Sequence, residues 1–89
     1  MYFMNNNTKF NNNLNVIGQK IKYYRELNKL SQSQLSNKLQ LIGIDIPKNS
    51  LQRLEKGKRI IKEYELAGLA KVLKVSTDEL LKEFMKELD

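Results

Sequence analysis

Residues 30–59, LSQSQLSNKLQLIGIDIPKNSLQRLEKGKR, constrain the fold more than any other stretch. Ser31, with Gln34 three residues later, forms the capping-box pattern that satisfies two backbone donors at a helix start. Leu35 and Leu39 follow at helical spacing, so a helix is expected from about Gln32 to Gln40. The next residues, LIGIDIP from Leu41 to Pro47, break that rhythm. Gly43 permits a positive φ, and Pro47 disfavours helix at Ile46. Ile42, Ile44 and Ile46 alternate like a short extended piece. Pro47 suits the first turn of a further helix, with Leu51 and Leu54 on its buried side. Gly57 stands where a left-handed residue closes a helix, and Lys58 and Arg59 follow at once.

The rest of the chain supplies helices for these to pack against. Residues 1–13, MYFMNNNTKFNNN, are Asn-rich and suit neither helix nor strand. They are expected to form a flexible arm, with Lys9 its single charged side chain. Leu14, Ile17, Ile21, Tyr24 and either Leu27 or Asn28 then recur at steps of three and four, as one apolar helical stripe. Asn13 or Asn15 can cap its start. Past Arg59, a helix from about Lys62 to Leu73 would bury Leu66, Leu69, Ala70 and Leu73. Ser76 and Glu79 form a second capping-box pattern, opening a fifth helix with Leu80, Leu81, Phe84 and Leu88. The expected fold is all-α, a compact bundle of five short helices. Residues 1–13 are its arm, 14–75 its first four helices, and 76–89 a C-terminal helix of the same domain.

Composition narrows the function classes. The 89 residues allow one domain. With no Cys there is no disulfide or thiolate metal site, and with no His the commonest general base and zinc ligand are missing. No Gly-rich phosphate loop is present, so neither catalysis, a metal nor a cofactor is expected. No apolar run has the length of a membrane span and no signal-peptide pattern opens the chain, so a cytoplasmic protein without a membrane partner is expected. The net charge of +6 is unevenly placed. Residues 76–89 carry five acids against two lysines, whereas the remainder carries 14 basic and five acidic side chains. A basic body with an acidic end favours a polyanion as partner of the body.

The third helix has the chemistry to read such a polyanion. With Leu51 and Leu54 facing inward, Lys48, Asn49, Gln52 and Arg53 face outward. Arg or Lys can bond guanine O6 and N7, and Asn or Gln can bond adenine N6 and N7. Phosphate contacts are expected to flank them. Gln32 and Gln34 add amide donors to the free N–H groups at the start of the second helix, and Lys56, Lys58 and Arg59 supply charge at the far end of the third.

From about Ile17 to Leu81 the chain resembles the lambda-repressor-like helix-turn-helix family, the Cro/C1 or xenobiotic-response-element type. The matching runs are IGQKIKYYREL, SQSQLSNKL, SLQRLEKGKR and LAGLAKVLKVSTDELL. The resemblance implies a five-helix domain that binds double-stranded DNA, usually as a homodimer, with the third helix in the major groove. It implies a transcriptional regulator that acts as a repressor. It places Gln32 at the family's phosphate-binding glutamine, Lys48, Asn49, Gln52 and Arg53 at its variable base-reading positions, and Lys56, Lys58 and Arg59 at its phosphate-contacting end. It also implies a structural ion pair between Arg25 and Glu55. Two positions depart from the pattern. The usual turn of three or four residues between the second and third helices is lengthened by about five, and Ser36 replaces the usual Ala.

A second reading is a protein-interaction module on the same fold, such as an antitoxin or adapter, with a toxin or antirepressor as partner. It is motivated by the acidic fifth helix, where Leu80, Leu81, Phe84, Met85 and Leu88 are more apolar than one buried stripe requires. Some of them could simply close the core, but the favoured use of Leu81, Phe84, Met85 and Leu88 is a homodimer seam.

Overall fold

The computed structural model describes residues 12–89. They form five helices: α1 (Gly18–Leu27), α2 (Gln32–Leu41), α3 (Lys48–Glu55), α4 (Glu63–Leu73) and α5 (Thr77–Glu87). No strand occurs among the described residues. Residues 1–11 of the expected arm lie outside the described residues. Asn12 and Asn13 are exposed, and Leu14 is already fixed, its N–H donating to the Gly57 carbonyl at 2.8 Å.

One core unites the helices. Ile17, Ile21, Leu35, Leu39, Ile46, Leu51, Leu54, Leu69, Leu73 and Leu80 are all buried in it. Each such side chain contributes roughly 1.5–3 kcal/mol by leaving water. The expected stripe of α1 is corrected at its two ends. Leu14 precedes the helix and is 47% exposed, and Leu27 is 61% exposed. Asn28 turns inward instead, because its amide finds two carbonyls, Tyr24 at 2.8 Å and Leu73 at 3.1 Å. Of the two candidate caps it is Asn15 that acts. Its Oδ1 accepts from the N–H groups of Ile17 and Gly18 at 3.1 and 2.7 Å.

α2 opens with the full capping box. Ser31 Oγ accepts from the Gln34 N–H at 3.0 Å, and Gln34 Oε1 accepts from the Ser31 N–H at 2.8 Å. At α5 only half of that motif forms, against expectation. Ser76 Oγ caps the Glu79 N–H, but the Glu79 carboxylate turns to α1, where it accepts from Tyr24 Oη at 2.9 Å. That bond favours the protonated phenol and raises its pKa above the ordinary value.

The turn between α2 and α3 spans residues 42–47. It is longer than the usual three or four residues, but shorter than expected because α2 continues to Leu41, and it is built rather than loose. Gly43 adopts a φ of +85°, which only glycine enters freely. Ile46 is buried, and Ile44 lies against α4 at Gly68. Ser36 Oγ donates to the Ile46 carbonyl at 2.6 Å. An alanine there could not make this bond, so Ser36 and the longer turn belong together. Pro47 sits just before the first turn of α3, as its cap residue. Gly57, at a φ of +76°, ends the helix. Its N–H bonds Leu54 O at 3.0 Å, while the Lys58 N–H bonds Arg53 O at 2.8 Å. This is the crossed pair of bonds that closes a helix on a left-handed residue.

Candidate nucleic-acid interface

α3 is amphipathic at its own period. Leu51, Leu54 and Glu55 are buried, whereas Lys48, Asn49, Gln52 and Arg53 are exposed. Side chains four apart stack on one flank of a helix. The polar face is therefore two rows. Lys48 and Gln52, continued by Lys56, line a shallow groove whose opposite wall is Ser31, Gln32 and Ser33 at the start of α2. Asn49 and Arg53 form the other row, and Arg53 Nη2 reaches the Lys58 carbonyl at 3.4 Å.

A buried polar network fixes the tilt of this helix. Arg25 Nε donates to Glu55 Oε2 at 2.7 Å, and Nη2 donates to Oε1 at 3.1 Å. Arg25 Nη1 also donates to the Leu30 carbonyl at 2.7 Å. The carboxylate bonds raise the Arg25 pKa further, so the charge is permanent. Gln32 Nε2 adds a third donor to Glu55, at 3.0 Å to Oε1. α1, the start of α2 and the end of α3 thus meet on one carboxylate. Removing one member of such a pair leaves a buried charge uncompensated, at roughly 3–5 kcal/mol.

Two glutamines expected at phosphate are partly engaged within the protein. Gln32 spends one amide proton on Glu55, and Gln34 spends its carbonyl on the Ser31 cap, leaving its NH2 group outward. Among the described residues, the backbone N–H groups of Gln32 and Ser33 have no hydrogen-bond acceptor.

The cationic end of α3 divides. Lys56 and Lys58 are exposed. Arg59 is not presented outward with them. Its Nη1 and Nη2 donate to the two carboxylate oxygens of Glu65 at 2.8 and 2.9 Å, and Nη1 donates to the Ile60 carbonyl at 2.9 Å. The pairing raises the Arg59 pKa and holds the Glu65 carboxyl below its ordinary value. Glu65 also accepts from the Lys62 N–H at 3.0 Å, so Arg59 ties the basic loop to the first turn of α4. No periodicity links residues 59 and 65 across a loop, so this pairing carries no signal in the sequence.

Asn15 was legible only as a cap, and it does more. Its Nδ2 donates to the carbonyls of Leu54 at 3.0 Å and Arg59 at 2.8 Å. It holds the end of α3 and the basic loop against the start of α1. A short Asn ahead of an apolar stripe is the one sequence signal for it.

A fixed helix with a polar outer face, preceded by a capped helix and followed by exposed cations, has the layout of a groove-reading unit. The Helix-turn-helix family model matches residues 21–80, and the chain belongs to that family of DNA-binding transcriptional regulators, in its Cro/C1 type. A solved structure of a SinR protein/SinI protein complex is similar, with 33% sequence identity and a TM-score of 0.65. The match covers 83% of this chain and 68% of that one. No curated protein matches the chain. Among the described residues, no helix is long and apolar enough to cross a membrane.

Proposed function

We propose that this regulator is a sequence-specific repressor that reads the major groove with α3. The observation that carries the reading is the two-row polar face of Lys48, Gln52, Asn49 and Arg53 on a helix locked from behind by Glu55. In this reading Gln52 and Arg53 reach base edges. Lys48 and Asn49, at the start of the helix, share contacts between bases and the adjoining backbone. Gln32, Gln34, Lys56 and Lys58 hold phosphates, and Arg59 acts through the loop it fixes. A mobility-shift assay on genomic fragments tests the assignment. Arg53→Ala should reduce the preference among fragments at the one base it reads, and Lys58→Ala should weaken all of them alike. Unchanged binding in both variants would refute the role of α3.

The working form in this reading is a homodimer. Met85 and Leu88 are 58% and 56% exposed on the last turns of α5, beside half-buried Leu81 and Phe84. Light scattering at high micromolar concentration should give twice the monomer mass, and Leu88→Glu should halve it. The second reading, a protein-interaction module, draws on the same surface, and the similar SinR structure contains SinI as a protein partner. A monomer that retains operator binding would favour this second use of α5.

A further inference from the structure

The groove between α3 and the start of α2 has a third wall, made by Gln19, Lys22 and Glu26 of α1. Their spacing of three and four places them on one face of the helix. Arg25 and Glu55, in the floor of the groove, neutralise each other. What remains is Lys22, Lys48 and Lys56 against Glu26, whose carboxylate lies 3.9 Å from the guanidinium of Arg25. Lys22 makes no ion pair among the described residues. Lys20, two positions earlier, lines an adjoining groove that shares Gln19, Glu55 and Lys56 with the first but adds Glu83 and Glu87 of α5, whereas Lys22 lines only the first. α1 therefore divides two electrostatic environments. One side continues the basic surface of α3, and the other meets the acidic end of α5.

We propose that α1 is part of the DNA interface, with Lys22 as a phosphate-contacting residue and Gln19 as an amide donor beside it. The proposal rests on the DNA-binding reading above. A DNA backbone running from α3 past the start of α2 meets a groove with cations on two walls. The acidic α5 side repels the same polyanion, so the strand is directed along the Lys22 side. Nothing in the spacing of α1 distinguishes Lys22 from Lys20 in the sequence. Only the grooves that α1 lines, one with α3 and the start of α2 and one with the end of α5, separate them.

Phosphate contacts are counted by salt dependence, because each contact releases condensed counterions. Each contributes about −0.9 to the slope of log K against log salt on B-DNA. The test compares wild type, Lys22→Gln and Lys20→Gln, which remove the same charge from the same helix. Fluorescence anisotropy on a random-sequence duplex of roughly 30 base pairs, at about 50–200 mM salt, reports the slope. Lys22→Gln should flatten it by about 0.9, so that this fourfold salt increase costs the variant about 3.5-fold less affinity than it costs wild type. Lys20→Gln should keep the wild-type slope, and both variants should melt with the wild type. Equal flattening in the two variants would overturn the proposal, as would an unchanged slope in Lys22→Gln beside a steep wild-type slope. That second result would leave DNA binding standing and give this wall to a protein ligand or to solvent. A flat slope in the wild type would overturn the DNA-binding reading and the proposal together.

Discussion

Arg59→Ala separates a structural cation from a DNA-contacting one. The change removes two bonds to Glu65 and one to the Ile60 carbonyl. Glu65, whose side chain is 3% exposed, keeps only the Lys62 N–H. Stranding one member of a buried pair costs about 3–5 kcal/mol, and Arg59, at 19% exposure, sets the cost near the lower end. A loss of about 3 kcal/mol lowers Tm by about 12–24 °C in a domain of this size. Circular-dichroism melts measure it directly, and Lys58→Ala, at an exposed neighbour, should stay within about 0.5 kcal/mol of wild type. The effect also depends on pH. The folded pKa of Glu65 lies below its unfolded value, so the pair stabilises fully above the ordinary carboxylate range, from about pH 5 upward. The contribution fades as pH falls through the lowered folded value. The gap in Tm between wild type and Arg59→Ala should therefore narrow in acid. Adding Glu65→Gln to Arg59→Ala should recover part of the loss. An Arg59→Ala protein that melts with the wild type, yet loses one phosphate's worth of salt slope as Lys58→Ala does, would refute this account of Arg59.

Ser36→Ala strands the Ile46 carbonyl and should cost about 1 kcal/mol in urea denaturation; an unchanged midpoint would mean that the long turn holds itself. Lys74 ends α4 in the left-handed region at a φ of +61°, a conformation costly to any side chain, so Lys74→Gly should stabilise the domain by about 1 kcal/mol. A lower Tm for Lys74→Gly would show that its side chain contributes more than its backbone costs.

The fold was legible because local signals agreed with the packing. Ser31 and Gln34 announced α2, Gly57 announced the end of α3, and spaced leucines gave the buried faces. What escaped the sequence were side chains whose partners lie across a loop or on another helix. Glu79 left its own capping box because Tyr24 of α1 offers a phenol within reach. Arg59 read as one more cation after Gly57, since nothing local points to Glu65. Lys22 and Lys20 read alike until the fold placed them in separate grooves, Lys22 beside α3 and Lys20 beside the end of α5. The outward residues of α3 were readable because Leu51 and Leu54 fixed its buried side. Which of the two rows lines a groove became visible only with the start of α2 set opposite Lys48 and Gln52.

Selection of bound duplexes from a random-sequence library tests the role of α3 most directly. Wild type should enrich one sequence, and Gln52→Ala or Arg53→Ala should relax the preference at a single position, at about 1–3 kcal/mol for the favoured base. Lys58→Ala should weaken binding while enriching the same sequence. The account is contradicted if the α3 variants enrich the wild-type sequence unchanged, or if wild type enriches none.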